Sequence, residues 1–346
     1  MPFHYLMCAR NVVSRAFGAE PGDIRFLKVP MERGRLPKPS DEIDPNRWIR
    51  EVTVLAQRTK GGKTGSDGDV LIWVHGYNND LPAIMKRQSY LVADLENAGF
   101  DGAVVSFDWP SDDSTLNYIE DRSDASAVAR HLVTDGVTRL NQLQDAGCKL
   151  NVHLLGHSTG AYVILEAFEQ AQRDGELYKS PWRVDQIGFI AGDIAATSLD
   201  AGPNGAKTMF DRCVRVTNYF NGDDHVLAVS NAKRFGTSPR AGRVGATSNR
   251  DGKVANVDCR TWFEQKDPAT STFDGTFAHS WYIGDAVWAR DWAMTMNSGL
   301  DRRAIPTRSV RANGDLELQD SPRPLHEDAW AAETPRAAKK LAADGQ

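Results

Sequence analysis

Residues 151–160 read NVHLLGHSTG, and residues 161–171 continue AYVILEAFEQA. The first stretch opens as an apolar run of strand length, and the second spaces its apolar residues as a helix does. Between them Gly156-His157-Ser158-Thr159-Gly160 fits G-x-S-x-G, a strand–turn–helix motif that lifts a serine above a sheet edge. The turn is so tight that side chains two residues either side of Ser158 would clash, so glycine is needed at 156 and 160. The helix that follows aims free N–H groups and positive partial charge at the space beside the serine, which favours a developing oxyanion. A plain glycine-rich turn with a capping serine is the alternative. Three fixed residues in five are weak evidence by themselves; the strand before and the helix after give the motif its weight.

Outward from this turn, strand and helix alternate. Val70–His75 (VLIWVH) is a continuous apolar run, as in a parallel strand covered on both faces. A helical stretch from about Leu81 to Ala98 precedes the strand Ala103–Phe107. From about Asn117 to Asp145 apolar residues fall at 125, 128, 129, 132, 133, 137 and 140, a helical series. Ile187–Ala191, Val214–Phe220 and Val254–Cys259 read as further strands. Asp224 to Arg234 reads as the start of a helix, and a last helix spans Tyr282 to Met296. The alternation predicts an α/β fold with a mostly parallel central sheet and helices on both faces. Right-handed crossovers then gather the carboxyl ends of the strands, and with them the site, along one edge.

The expected domain spans residues 1–303. Within it, residues 1–60 predict peripheral strands and loops, with apolar stretches at Phe3–Ala9, Ile24–Val29 and Val52–Leu55. Gly61 to Gly68 reads as a flexible turn, and lacks the spacing of a phosphate loop. Residues 193–213, rich in alanine, glycine and small polar residues, predict a small cap. Residues 304–346 carry many proline, alanine and charged residues and predict a polar, poorly ordered C-terminal extension.

A serine hydroxyl is a poor nucleophile without a base, and the base needs an orienting acid. In the G-x-S-x-G arrangement the chain order is serine, acid, histidine. His225, His279 and His326 follow Ser158. His326 lies in the proline-rich tail, and His225 reads as a loop residue beside the acid candidates. His279 follows the last predicted strand and begins a helix, the place expected for the base. For the acid, Asp223 and Asp224 end the strand before the last, and Asp224 is preferred. One of the pair is expected to cap the helix HVLAVS and the other to orient the histidine. Asp193 is a weaker third candidate.

The loop Trp73-Val74-His75-Gly76-Tyr77-Asn78-Asn79 ends an early strand. The amides of Tyr77 and Thr159 are the expected oxyanion donors, each such donor being worth roughly 3 kcal/mol in the transition state. Asn78 is a candidate side-chain contact and Trp109 a candidate pocket wall, although an aromatic at a strand end is more often packing. Asp108 reads as a turn residue.

Composition narrows the field. The chain has 346 residues, a formal net charge of −5, 41% hydrophobic and 25% charged residues, and so reads as globular. No basic block points to nucleic acid, and no apolar run is long enough to span a membrane. Met1 to Arg10 does not read as a secretory signal. Cys8, Cys148, Cys213 and Cys259 lie far apart with no C-x-x-C pair, which argues against a zinc site and for free thiols in a reducing, cytoplasmic setting.

The motifs together resemble a bacterial group of α/β-hydrolases whose biological role is largely uncharacterised. The resemblance rests on VHGYNND (74–80), SFDWPSD (106–112), NVHLLGHSTG (151–160), NYFNGDDHVLAVS (218–230) and AHSWYI (278–283), and covers roughly residues 1–300. It implies an α/β-hydrolase fold and a triad of Ser158, Asp224 and His279, because D-x-x-L-x-x-S falls on Asp224, Leu227 and Ser230. Thr159 stands where many relatives carry methionine, and only its N–H is needed. The family supplies no substrate. The expectation is a serine hydrolase acting on a small-molecule carboxylic ester through an acyl-enzyme, with no cofactor or metal. Amidase or peptidase, thioesterase and lipase chemistry would use the same triad. A non-catalytic binding protein on a hydrolase fold is the remaining reading.

Overall fold

Along the strand Lys63–Val74, Val70, Ile72 and Val74 enter one apolar core while Leu71 and Trp73 enter another. A strand buried on both faces needs a packed layer on each, and this period-two division organises the molecule. The computed structural model describes residues 3–60, 63–77, 79–111, 118–142, 149–203, 205–233, 238–268, 277–297 and 299–320. The strands are β1 (Phe3–Val13), β2 (Ala16–Pro30), β3 (Gln57–Lys60), β4 (Lys63–Val74), β5 (Ala103–Asp108) and β6 (Lys149–His157). They continue with β7 (Val184–Ile190), β8 (Cys213–Phe220), β9 (Val254–Asp258), β10 (Arg308–Val310) and β11 (Leu316–Leu318). Together they form an 11-stranded sheet in the order β10-β11-β9-β8-β7-β6-β4-β5-β1-β2, with β3 paired to β4 off this path. Neighbours from β1 through β5, β4, β6, β7, β8 and β9 to β11 pair in parallel. Among the named strands of the described residues, antiparallel pairing is confined to β1–β2, β3–β4 and β10–β11.

One face carries the helix Pro45–Ala56, the helical run Tyr118–Gln142 with its π-helical stretch Leu132–Val137, and the helix Thr159–Arg173. Its core takes the whole apolar series read from 125 to 140. The other face carries the helices Leu81–Asn97 and Ala286–Met296, which bring Leu91, Leu95, Trp288 and Trp292 against Trp73 and Tyr219. Each such fully buried side chain contributes about 1.5–3 kcal/mol of transfer free energy. β5 and β6 flank β4 on opposite sides, so the connections leaving β4 and β6 part at the carboxyl edge. That divergence opens the crevice where sites of this sheet type collect.

Several expectations from sequence need correction. Val52–Leu55 belongs to the helix Pro45–Ala56, where Asp44 caps the Arg47 amide at 2.9 Å and Trp48, Ile49, Val52 and Ala56 make a buried helical stripe. β1 is an inner strand rather than a peripheral one, since it pairs in parallel with β5; β2 is the edge. Of the stretch read as a flexible turn, residues 63–68 extend β4 into a hairpin with β3, and residues 61–62 lie outside the described residues. Residues 193–213 are the crossover from β7 to β8. Their helix Lys207–Arg212 packs on Thr159–Arg173 and feeds the start of β8, at the edge away from Ser158. The boundary at 304 also moves. Residues 308–318 supply β10 and β11, and β11 pairs in parallel with β9. Residues 321–346 lie outside the described residues. Cys8, Cys213 and Cys259 are buried free thiols, and Cys148 lies outside the described residues.

Candidate active site

β6 runs directly into Ser158, whose backbone sits at φ 52° and ψ −121°. A non-glycine residue in that region is strained, and such strain persists only where the surroundings enforce it. Here they do. Ser158 N–H donates to the Ile190 carbonyl at 3.1 Å, and the Ser158 carbonyl accepts from Asp193 N–H at 2.9 Å and Ala161 N–H at 3.1 Å. A Cβ at position 156 would lie 2.8 Å from Ala161 N, and one at 160 only 2.2 Å from the Val74 carbonyl oxygen. The two flanking glycines are therefore steric requirements, one towards the serine's own helix and one towards β4. Gly160→Ala is expected to cost about 1–3 kcal/mol, the usual penalty of overpacking. Chemical denaturation measures this, and an unchanged midpoint would show that the elbow relaxes freely.

The loop after β4 meets this turn. A Cβ at Gly76 would stand 2.8 Å from Ser158 Cβ and 2.9 Å from the His157 carbonyl oxygen, so the loop backbone touches the serine. Its carbonyls are drawn back: Asn79 Nδ2 donates to the Gly76 oxygen at 2.8 Å and to the Tyr77 oxygen at 2.9 Å. Tyr77 is half-buried, and Asn78 lies outside the described residues. Thr159 is the first helical residue, a position whose N–H has no acceptor within the helix. Asn79 was not singled out from sequence, where it reads as one of two loop asparagines.

Beneath the loop lies a buried polar group. Arg10 Nε donates to Asp108 Oδ1 at 2.9 Å, Cys8 Sγ donates to Asp108 Oδ2 at 3.0 Å, and Arg10 Nη2 donates to the Trp109 carbonyl at 3.0 Å. Burial opposes the Asp108 charge, but the Arg10 guanidinium beside it pulls its carboxyl down to about 2. Asp108 is thus the buried last residue of β5 and not a turn residue. Trp109 is fully buried; its ring stacks on His75 at 5.4 Å and its Nε1 donates to the His75 carbonyl at 2.8 Å. His75 Nδ1 donates to the Gly76 oxygen at 2.8 Å, which leaves Nε2 to accept the Trp109 N–H at 3.2 Å. No spacing in sequence ties Arg10 to Asp108; the parallel register that places Cys8 opposite Asp108 does.

On the other side of the elbow stand Asp224 and His279. His279 Nδ1 donates to Asp224 Oδ2 at 2.7 Å, and both residues are buried. This fixes the tautomer of neutral His279, with the lone pair on Nε2. Asp224 Oδ1 accepts the Leu227 N–H at 3.0 Å, so one carboxylate both caps the helix His225–Lys233 and holds the histidine. Sequence reading divided these tasks between Asp223 and Asp224. Asp223 is instead half-exposed and faces Arg260 at 3.4 Å. The Asp193 carboxylate takes the Ser230 hydroxyl at 3.0 Å and lies 3.4 Å from Arg240. His225 begins a helix rather than lying in a loop.

His157 connects the two halves, a role the motif's unconstrained position gave no reason to expect. Its Nε2 donates to the His279 carbonyl at 3.0 Å, and the two rings lie 4.9 Å apart. Burial, reinforced by His279, pushes His157 well below its ordinary value, so it is neutral. Burial likewise lowers His75, and takes His4 to about 4. All three bind protons less readily folded than unfolded. The unfolded chain therefore takes up more protons below about pH 6.5, and stability falls as the pH drops from there. Urea midpoints should accordingly be lower at pH 5.5 than at pH 7.5; equal midpoints would contradict the burial of these rings. Among the described residues no group of three His, Cys, Asp or Glu side chains is placed to hold a metal ion. None of their helices is long and apolar enough to cross a membrane.

Residues 53–285 match the family described as "Alpha/beta hydrolase of unknown function (DUF900)". The chain belongs to this α/β-hydrolase family. The matched span of this family member contains Ser158, Asp224 and His279. A search of curated proteins finds no match. Among solved structures the chain is similar to a lipase-esterase related protein from Clostridium acetobutylicum, at 12% identity and TM-score 0.32, over 67% of this chain and 94% of that one. It is also similar to a cutinase-like protein from Cryptococcus sp., at 15% identity and TM-score 0.33, over 67% and 93%. For a Trichoderma reesei cutinase the values are 13% and 0.29, over 66% and 75%.

Proposed function

We propose that this protein is a serine hydrolase that cleaves small carboxylic esters. Ser158 Oγ attacks the ester carbonyl and His279 Nε2 takes its proton. Asp224 holds the imidazole and stabilises the imidazolium that forms. The amides of Tyr77 and Thr159 receive the oxyanion. Collapse of the tetrahedral intermediate expels the alcohol, protonated by His279, and water then clears the acyl-enzyme by the same steps in reverse order. The observation that carries this reading is the strained Ser158 pressed against Gly76, with the buried Asp224–His279 pair tied to the same elbow through His157. The proposed setting is a reducing one, the cytoplasm, supported by the buried free thiols.

Labelling with a fluorophosphonate tests the reading directly. The folded protein should gain one adduct by intact mass, mapped to Ser158 and absent from Ser158→Ala. No adduct, or an adduct that survives the substitution, would sink it. A panel of ester, thioester and anilide substrates of graded acyl length then separates esterase from thioesterase, amidase and lipase chemistry.

A further inference from the structure

At the edge of the sheet away from Ser158, the loop before β9 and the segment before β10 enclose a cleft of about 210 Å³. Arg250, Arg302 and Arg303 line it, with Gly252 and Gly314 leaving backbone exposed at its walls and Asp251 as the one acidic side chain. Much of the polar lining is already engaged. Arg250 Nη1 pairs with Asp315 at 2.9 Å, and its Nη2 donates to the Gly314 carbonyl at 3.2 Å. Asp251 Oδ1 accepts the Lys253 N–H at 2.8 Å. Arg302 is different. Its Nη2 donates to the Gly252 carbonyl at 2.7 Å, but its Nη1 is buried with no hydrogen-bond partner among the described residues. Neither Arg302 nor Arg303 has an ion pair among the described residues. Arg302 also lines a crevice behind the cleft with Arg215 and Gln186. Gln186 is 1% exposed, and both its amide atoms lack partners.

A buried donor without an acceptor is costly, and a guanidinium more so. Burial, followed by the like charge of Arg215, lowers Arg302 from its ordinary value. Asp301 acts in the opposite sense, but four arginines (215, 250, 302 and 303) stand here against three aspartates (251, 301 and 315), which leaves a formal excess of positive charge. Guanidinium forks match tetrahedral phosphate and planar carboxylate oxygens, and bind them by short charge-assisted hydrogen bonds.

We propose that this cleft is a second ligand site, for a small anion bearing a phosphate or carboxylate group, held by Arg302 and Arg303 at the sheet edge opposite Ser158. The volume suits a phosphate monoester or a small di- or tricarboxylate and excludes a nucleotide seated whole. Such a ligand binds the folded chain alone and so raises its unfolding temperature.

The test is thermal unfolding and titration calorimetry of the full chain with inorganic phosphate, glycerol phosphate and citrate, against sodium chloride at equal ionic strength. At least one of the three anions should raise the unfolding temperature where chloride does not. Arg302→Gln should weaken that anion's binding by about tenfold or more, the usual weight of one charge-assisted contact. Arg303→Gln, at an exposed position, should weaken it too and covers the case in which the Arg302 variant fails to fold. Phosphate against citrate tells which chemistry the site prefers. Shifts equal to that of chloride, or binding unchanged in a folded variant, would overturn the proposal. Because the readout is binding, the result is independent of whether Ser158 hydrolyses esters.

Discussion

Asp224→Asn is expected to lower kcat for a chromogenic ester by about 10⁴-fold while leaving KM within a few fold. The amide can still accept the Leu227 N–H through its oxygen, so the cap on the helix His225–Lys233 survives. What it cannot do is accept the His279 Nδ1 proton while also opposing the charge of an imidazolium. In the proposed mechanism His279 then loses the tautomer that leaves Nε2 free to take the Ser158 proton. Asp223→Asn provides the matched control, because that carboxylate is half-exposed and opposite Arg260. Its kcat should stay within about twofold, as at a surface pair of little energetic weight. Ser158→Ala sets the floor and should be no more active than the Asp224 variant. Steady-state kinetics on the three variants decide the matter: a severe loss at Asp223 with an active Asp224 variant would transfer the role to the neighbour.

Asp291→Ala is expected to cost about 3–5 kcal/mol of stability, the penalty for stranding a buried charge. Arg308 Nη2 donates to Asp291 Oδ1 at 2.6 Å, and neither side chain has exposed surface. The pair sits in a saturated group: Tyr219 Oη donates to Asp291 at 2.6 Å, Thr307 Oγ1 donates at 2.6 Å, and Arg308 also reaches Thr295 at 2.5 Å. Burial opposes the Arg308 charge, yet Asp291 holds the guanidinium above its ordinary value. Removing the carboxylate leaves that cation in a dry site with only the Tyr219 and Thr295 hydroxyls and the Arg302 carbonyl as partners. The double variant Asp291→Leu with Arg308→Met should recover part of the loss, because it leaves no unpaired charge. Urea unfolding of the three proteins measures both effects, and a double variant less stable than Asp291→Ala would contradict the account.

What could be read from sequence follows the range of the interactions concerned. The elbow was legible because its requirements are local: Gly156, Ser158 and Gly160 answer clashes within a few residues or with the adjoining strand. The long apolar series at 125–140 announced a helix for the same reason. Chain order pointed to His279, and position after the strands left three acids, with Asp224 preferred to Asp223 and Asp193 the weakest. Asp224's double contact was not legible, because the Leu227 amide is local while His279 lies 55 residues on. The group under the loop after β4 was hidden altogether. Arg10 and Asp108 are 98 residues apart and meet through a strand pairing that no motif announces. β10 and β11 were missed because three-residue strands carry too little periodicity, and because a fully buried Arg308 looks in sequence like any surface arginine.

The order of strands across the sheet has a consequence for how the chain is made. β9 is flanked by β8 on one side and by β11 on the other, and β11 emerges from the ribosome some sixty residues after β9. While those residues are being synthesised, β9 offers an unpaired row of backbone donors and acceptors, and Asp291 waits for Arg308. An exposed edge of this kind invites pairing with other nascent chains. Pairing of β11 and then β10 moves that edge outward, from the five residues of β9 to the three of β10, so less unpaired backbone is left on this side of the sheet.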